Sequence, residues 1–309
     1  MNGILAVDKP KGLTSHDVVA RVRRWSGQRR VGHAGTLDPM ATGVLLVCLG
    51  EATRVSDDLM RGAKWYLARI RFGVRTTTDD AMGEAIERRA SMFSDEDLEH
   101  AARLQVGYLE QVPPAFAAIK LQGRPVYKAA RAGEEVILAA RSVVVTSLTI
   151  LSSGQDAADP DSDCLPTSWA DVVVSCGKGT YIRAIARDLG NALGCGGHLA
   201  GLRRLASGAI TTRQCASVAD LGVDAGAEGP PAVAKRLLPL DYALDDRPAA
   251  LLGAGLERQA RSGRVIAVPG VTDAAELRLY GESGEAAAVA RAAGAGLYHP
   301  DRVFSGETE

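Results

Sequence analysis

The chain has 309 residues and a mass of 32.4 kDa, about twice the usual domain size, so one large domain or two unequal domains are expected. Apolar residues make up 46% and charged residues 24%, which excludes a mainly disordered chain. The net charge of −1 gives no sign of an anionic partner. Apolar runs are far shorter than the roughly 18 residues that span a bilayer, and no export signal is visible, so a cytoplasmic protein is predicted.

The charged residues are unevenly distributed along the chain. Residues 1–37 carry seven basic and two acidic side chains, and residues 177–213 carry six basic side chains and one acidic one. Residues 79–111 and 214–309 are acidic instead. Such segments can form a polarised surface that attracts a polyanion, or they can be ordinary solvated helix faces, and the charge pattern alone does not decide between the two.

The predicted elements mix strands and helices without a regular alternation. The sequence predicts a helix capped by Thr14 or Ser15, a helix that starts at Ser94, and a helix over residues 181–193 that Gly194 ends. Apolar or alternating runs predict strands at residues 4–7, 44–49, 66–72, 143–151 and 172–176. This mixture predicts an α+β fold with a largely antiparallel sheet.

Two stretches indicate connections. Residues 152–167 are polar and rich in turn-forming residues, which predicts an exposed connection between two strands. After residue 220 the sequence becomes linker-like and then rich in alanine, glycine and acidic residues. A small second domain of about 60 residues is predicted to begin near Asp245 or Asp246.

The segment from Gly32 to Gly43 is the most informative part of the sequence. It contains three glycines just before an apolar strand, which indicates a loop with unusual backbone angles or a close approach of another molecule. Asp38 precedes a proline, so its carboxylate sits on extended or turn backbone. From these residues alone, Asp38 could be a nucleophile, a general base or a turn-stabilising side chain. The cysteines and histidines show no metal-ligand spacing, so no metal is predicted.

This segment, GHAGTLDPMATGVL, resembles the signature loop of pseudouridine synthases, specifically the TruB branch that modifies the T loop of tRNA. Further blocks follow in the family's order over roughly residues 4–210. They are DKPKGLTS at residues 8–15, KWY at 64–66 with a Thr/Asp/Gly turn at 76–83, QVPP and the residues that follow it at 111–133, GTYIR with DLG at 179–190, and LRR at 202–204.

The resemblance implies the pseudouridine synthase fold, with a mixed, largely antiparallel sheet flanked by helices and a small C-terminal PUA-like domain. Residues 1–245 would form the catalytic domain, with a thumb-like segment at about 124–151 that folds over the RNA loop. Residues 246–309 would form the RNA-binding domain. Two features depart from the family's pattern: Phe116-Ala117 stands where the family often has Tyr-Ser, and the C-terminal segment is acidic.

By the same resemblance, Asp38 is the catalytic nucleophile, and Arg183 is the cation that keeps it charged in a pocket without water. Tyr66 would stack on the extruded base and accept a proton. On spacing alone, Arg183 could equally be an exposed helix residue and Tyr66 a core residue. Six further residues would bind the substrate or support the site: His33, Tyr181, Leu202, Lys9, Asp80 and Lys120.

Within this set, Tyr181 and Leu202 would form walls of the pocket, and His33 would contact the opened RNA loop. Lys9 would support the active-site loop, while Asp80 and Lys120 would pair or contact RNA.

The implied activity is isomerisation of the T-loop uridine (U55) of tRNA to pseudouridine after the base has been flipped out. No group enters or leaves and nothing is oxidised, so no cofactor is expected. The expected partner is the T-arm stem-loop of tRNA, with no membrane and no protein partner, and the enzyme would be a monomer. Two alternatives are a noncatalytic tRNA-folding chaperone and a guide-directed synthase that modifies ribosomal RNA.

Overall fold

Two β-sheets form the framework of the protein. The computed structural model describes residues 1–116, 120–121, 124–125, 138–156, 165–271 and 274–305. Within them the α-helices are α1 (Ser15–Ser26), α2 (Ser56–Arg61), α3 (Asp95–Arg103), α4 (Ile182–Ala192), α5 (Val218–Glu228), α6 (Pro230–Ala234) and α7 (Ala254–Arg261). Short 3₁₀ helices cover Gly50–Val55, Thr212–Gln214 and Leu240–Leu244. No helix in the described part of the chain is long and apolar enough to pass through a membrane.

The strands fall into a larger N-terminal set and a C-terminal set. The first comprises β1 (Gly3–Lys9), β2 (Val31–Ala34), β3 (Thr42–Leu49), β4 (Lys64–Phe72), β5 (Val74–Thr76), β6 (Ala85–Arg88), β7 (Gly107–Gln111), β8 (Lys120–Leu121), β9 (Arg124–Pro125), β10 (Arg141–Asp156), β11 (Thr167–Cys176), β12 (Gly197–Ser207), β13 (Ile210–Thr211), β14 (Ala216–Ser217) and β15 (Leu237–Leu238). The second comprises β16 (Ala249–Leu251), β17 (Ile266–Ala267), β18 (Glu276–Tyr280), β19 (Ala286–Gly294) and β20 (Leu297–Val303).

The large sheet has the strand order β14-β1-β3-β12-β4-β11-β10-β7, with β2, β13 and β15 paired at its sides. Strand β12 runs parallel to β3, and β14 runs parallel to β1, whereas the other pairs in this sheet are antiparallel. The predicted α+β class with a mixed, largely antiparallel sheet is therefore confirmed.

The hydrophobic pattern of each strand matches its place in the sheet. The apolar run of β3 is buried on both faces of the sheet. One face packs on α1, α5 and α6, and the other packs on α2 and the C-terminal sheet. Strand β4 alternates as predicted: Tyr66, Ala68, Ile70 and Phe72 are buried, whereas Arg69 and Arg71 are exposed. Its buried side packs against α4 and α3.

The helix boundaries follow from capping chemistry. Thr14 caps α1 in a reciprocal pair with Asp17, and Gly27 ends that helix in the left-handed conformation. Ser94 caps α3 in the same way. The helix predicted over residues 181–193 is α4, with Tyr181 at its N-cap and Gly194 just beyond it at a φ of +73°.

The predicted connection at residues 152–167 is partly wrong. Strand β10 continues to Asp156, and β11 begins at Thr167. Strand pairing with β11 continues over these polar residues, and Gly154 lies under the Trp169 ring, where a Cβ atom would come within 2.7 Å of a ring carbon. Of the predicted thumb-like segment, residues 126–137 lie outside the described residues, and residues 141–151 belong to β10 of the large sheet.

The C-terminal strands form a separate five-stranded sheet in the order β16-β18-β19-β20-β17. It starts at Ala249, and the domain boundary at 245/246 stays a prediction. A buried ion-pair cluster joins this sheet to the rest of the protein: the Asp58 carboxylate on α2 accepts bonds from Arg247, at 2.6 Å, and from Arg302. Phe304 is buried in the same core cluster as Val55 of the neighbouring 3₁₀ helix.

Candidate active site

The loop between β2 and β3 carries Asp38, and close packing fixes its ends. Gly43 has a φ of +98°, and a Cβ atom there would lie 2.1 Å from the Arg204 carbonyl oxygen. Only glycine therefore lets β12 approach β3 at this point. Within the loop, the Ala41 amide donates to the Asp38 carbonyl at 3.0 Å, and the Ser15 hydroxyl accepts from the Leu37 amide at 2.9 Å.

Lys9 lies beneath this loop and is completely buried. Its ammonium donates to the carbonyls of Leu13 at 2.6 Å, Pro10 at 3.0 Å and Pro39 at 3.5 Å. Burial lowers the pKa of Lys9 to about 8, and the nearby Asp38 carboxylate opposes this shift. These contacts connect the N-terminal segment to the loop, and the supporting role of Lys9 stays a prediction.

Asp38 is held by the guanidinium of Arg183, which enters from the first turn of α4. The Arg183 Nε lies 3.0 Å from Asp38 Oδ2, and one terminal nitrogen donates to Oδ1 at 3.2 Å. The Arg183 side chain is only 6% exposed, whereas that of Asp38 is 33% exposed. The carboxylate is therefore gripped from one side and open to the cavity on the other.

Asp80 is the second acid at this arginine. Its carboxylate lies 3.7 Å from Arg183 and accepts from the Thr78 hydroxyl at 2.6 Å. Burial raises the pKa of Asp38, Arg183 and Lys9 oppose that rise, and Asp80 adds to it. The pKa of Asp38 thus lies above its usual value, and Arg183 is the main group that favours the charged form.

A cavity of about 570 Å³ opens above the Asp38 carboxylate. Tyr66 from β4, Tyr181 from the N-cap of α4 and Leu202 from β12 line it together with Asp38 and Arg183. Burial raises the pKa of both tyrosines, so their phenols are neutral near pH 7. The cavity therefore places aromatic rings and one carboxylate around a space of the size that small ligands occupy.

Two family models match adjoining parts of the chain. The one for the N-terminal domain of TruB family pseudouridylate synthases matches residues 23–182, and the one for the C-terminal domain of tRNA pseudouridylate synthase B matches residues 183–245. The chain is 50% identical over 224 residues to tRNA pseudouridine synthase B of Thermobifida fusca, covering 72% of this chain and 75% of the relative. It is 39% identical to that of Ralstonia nicotianae, covering 98% and 94%.

The chain belongs to the TruB family of pseudouridylate synthases. Its fold is also that of solved, more distant proteins. A Cbf5-Nop10-Gar1 complex contains a chain with a TM-score of 0.70 at 22% identity, and an H/ACA RNP bound to a substrate RNA containing 2'-deoxyuridine contains one with a TM-score of 0.72 at 21% identity. Each comparison covers 98% of this chain and 85% of the other. The predicted pseudouridine synthase fold is confirmed.

His33 is a predicted site residue of this TruB chain that is absent from the described lining of the Asp38 cavity. His33 lies on β2 with its ring centre 5.2 Å from that of His16, and its buried Nδ1 has no hydrogen-bond partner among the described residues. Burial lowers the pKa of His33, and His16 and Arg204 add to this effect. The side chain of Lys120 lies outside what the structure describes.

Four basic residues outside the predicted set of site residues belong to the cavity. Lys64, Arg141, Lys178 and Arg204 line the cavity together with Arg183. Arg204 is buried and donates to the carbonyls of Val44 at 2.6 Å and Gly35 at 3.2 Å, so it holds both ends of the Asp38 loop. The LRR motif contains Arg204, but nothing in the motif indicates that one of its arginines points inward.

Gln111 is another residue outside the predicted set that supports the site. Its side-chain amide donates to the Tyr181 carbonyl at 3.2 Å and accepts from the Tyr181 amide at 2.8 Å. This reciprocal pair fixes the N-cap of α4, two positions before Arg183 in the chain. Gln111 therefore orients a wall of the cavity from the edge strand β7.

Proposed function

We propose that this tRNA pseudouridine synthase converts the uridine at position 55 in the T loop of tRNA, with Asp38 as its nucleophile. The observation that carries the proposal is the two-point contact between Asp38 and Arg183 at the floor of a cavity walled by Tyr66. It supplies a carboxylate, a cation that favours its ionised form, and an aromatic surface for a base.

The proposed reaction rearranges one nucleotide without any net gain or loss of atoms. The bond between ribose C1′ and uracil N1 breaks, the uracil turns within the cavity, and a bond forms between C1′ and C5. The proton on C5 then leaves, and N1 ends with a proton. Asp38 would assist either by adding to the nucleotide or by removing a ribose 2′ proton. The neutral Tyr66 phenol would give its proton to N1 and, as the phenolate, accept the proton from C5.

Base flipping is the binding step that the cavity would support. A uridine inside a folded loop is stacked, and extruding it costs a few kcal/mol. Stacking on Tyr66 would offset that cost by about 1 to 3 kcal/mol. Tyr181 and Leu202 would complete the walls, and His33, on the neighbouring strand β2, would contact the opened loop.

The cations at the cavity support an RNA substrate. Arg141 and Lys178 are exposed and line the cavity, so they would meet the phosphates on either side of the flipped uridine. The C-terminal sheet would act as the PUA-like RNA-binding domain. A cytoplasmic monomer that needs no protein partner stays a prediction.

The two alternatives have less support. A noncatalytic chaperone would have no use for a buried arginine that contacts both oxygens of one carboxylate. A guide-directed synthase is favoured only by solved structures at 21–22% identity. The stand-alone tRNA enzyme is favoured by relatives of that name at 37–50% identity.

Turnover on an isolated T-arm hairpin would test this proposal. With uracil tritiated at C5, the hairpin should release tritium when uridine occupies the target position. A matched hairpin with cytidine at that position and tritiated uridine elsewhere should release none. Equal release from both hairpins, or no release from the uridine hairpin, would contradict the proposed substrate.

A further inference from the structure

Arg187 lies one turn after Arg183 on α4, outside the cavity. It donates to the Asp79 carboxylate at 3.1 Å and to the Val112 carbonyl at 2.9 Å. It also makes a two-point contact with the adjacent Asp188, at 2.9 and 3.3 Å. The side chains of Arg187 and Asp79 are 17% and 19% exposed, so this pair is largely protected from solvent.

Arg183 reaches the same two segments of the chain. It donates to the Thr78 carbonyl at 3.3 Å and to the Phe116 carbonyl at 3.5 Å. Successive turns of α4 thus hold the turn at residues 76–80 and the segment at residues 111–116. Arg187 makes its contacts on the side away from the cavity, whereas Arg183 directs its remaining donors to Asp38.

Asp79 has a strained backbone, directly before Asp80. Its φ of +57° is left-handed, which costs a residue with a side chain roughly 1 kcal/mol. The Asp79 carbonyl accepts from the Leu199 amide at 3.0 Å, and the Ala81 amide donates to the Leu199 carbonyl at 3.0 Å. Strain of this kind persists only where surrounding contacts fix it, and here they fix the orientation of Asp80.

We propose that Arg187 and Asp79 are positioning residues for the pseudouridine synthase reaction, because together they fix the turn that holds Arg183 against Asp38. This inference rests on the proposed role of Asp38. If the turn shifts, Arg183 loses its contacts with Thr78 and Asp80 and is free to leave the carboxylate.

The proposal predicts a change in the pH dependence. The charged groups that face Asp38 are Arg183 from α4, Asp80 from the turn and Lys9 from β1. Those that face Asp79 are Arg187, Arg183 and Asp188. A less firmly held Arg183 opposes the effect of burial less, so the pKa of Asp38 rises and the acidic limb of the rate profile moves to higher pH.

The test measures the single-turnover rate of tritium release against pH for Asp79→Asn, Asp79→Gly, Arg187→Ala and the double variant Asp79→Asn/Arg187→Ala. Asparagine and glycine tolerate the left-handed backbone, so the Asp79 variants remove the charge with little added strain. Each single variant should be slowed about tenfold, with the acidic limb at higher pH and tRNA binding unchanged. The double variant should lose no more than the worse single variant, since both act through one contact.

Asp224 and Arg236 provide the matched control, as an ion pair at 2.5 Å between α5 and the residues after α6. Asp224→Asn and Arg236→Ala should keep the wild-type rate and pH profile. Folded Asp79 variants with a wild-type rate and acidic limb would overturn the inference, as would an equal loss in the control variants. A wild-type enzyme without turnover would instead count against the proposed function itself.

Discussion

Replacing Arg183 with lysine tests how the cation acts on Asp38. Arginine contacts both carboxylate oxygens, at 3.0 and 3.2 Å, and also reaches the carbonyls of Thr78 and Phe116. Lysine keeps the positive charge but has one nitrogen, so it cannot make the two-point contact. The substitution therefore separates the geometry of the pair from its charge.

The expected loss follows from the bonds removed. A hydrogen bond to a charged group contributes about 1.5–3 kcal/mol. If one of the two bonds to Asp38 is lost from the transition state, the rate should fall about 10- to 100-fold.

The pH profile should change as well. The pKa of Asp38 is already raised by burial, and weaker opposition from the cation raises it further. The reactive carboxylate then forms only at higher pH, so the acidic limb moves upward.

The assay is single-turnover tritium release from C5-labelled tRNA between acidic and neutral pH, with tRNA binding and thermal melting measured alongside. Arg69→Lys is the matched control, because Arg69 makes a similar two-point contact with Asp171 on the exposed side of β4. A folded Arg183→Lys enzyme with the wild-type rate and acidic limb would show that the two-point contact with Asp38 is not needed. An equal slowing of Arg69→Lys would show that the loss is not specific to that contact.

Two further substitutions test how the fold supports the site. Gly43→Ala should destabilise the protein by about 3 kcal/mol or more in a denaturant titration, because its Cβ would meet the Arg204 carbonyl and φ is positive; an unchanged midpoint would contradict this packing. Asp58→Asn should cost about 3 kcal/mol of stability, since it removes the one buried carboxylate that pairs with both Arg247 and Arg302 and leaves Arg247 with only Glu276 and the exposed Asp246. Its turnover at low temperature should stay near wild type, and an unchanged melting curve would show that the cluster does not hold the C-terminal sheet.

Local patterns predicted much of the fold correctly. The alternation in β4, the helix cap at Thr14 and the glycine that follows α4 are all set by neighbours along the chain, and each was confirmed. The continuation of β10 past Leu151 was missed. Its polar residues and Gly154 are typical of a turn, but packing under Trp169, contributed by another strand, outweighs that preference.

The functional residues could be predicted from the sequence only where they belong to a motif of the family. Asp38, Tyr66 and Arg183 come from three distant segments, and their predicted roles rested on the family resemblance. The contacts of Arg204 with Val44 and Gly35 depend on the pairing of β12 with β3, across 160 or more positions in the sequence. The left-handed backbone of Asp79 could not be predicted from the sequence either, because aspartate does not require that conformation.

The most direct test of the central claim is single-turnover tritium release by Asp38→Asn, beside Asp171→Asn as a carboxylate-to-amide control on the exposed side of the sheet. Asparagine keeps the size of the side chain and removes its charge. A nucleophilic Asp38 predicts no release by Asp38→Asn, with tRNA bound within about tenfold of wild type, and normal release by Asp171→Asn. Turnover by a folded Asp38→Asn enzyme at a rate near that of the wild type would contradict it.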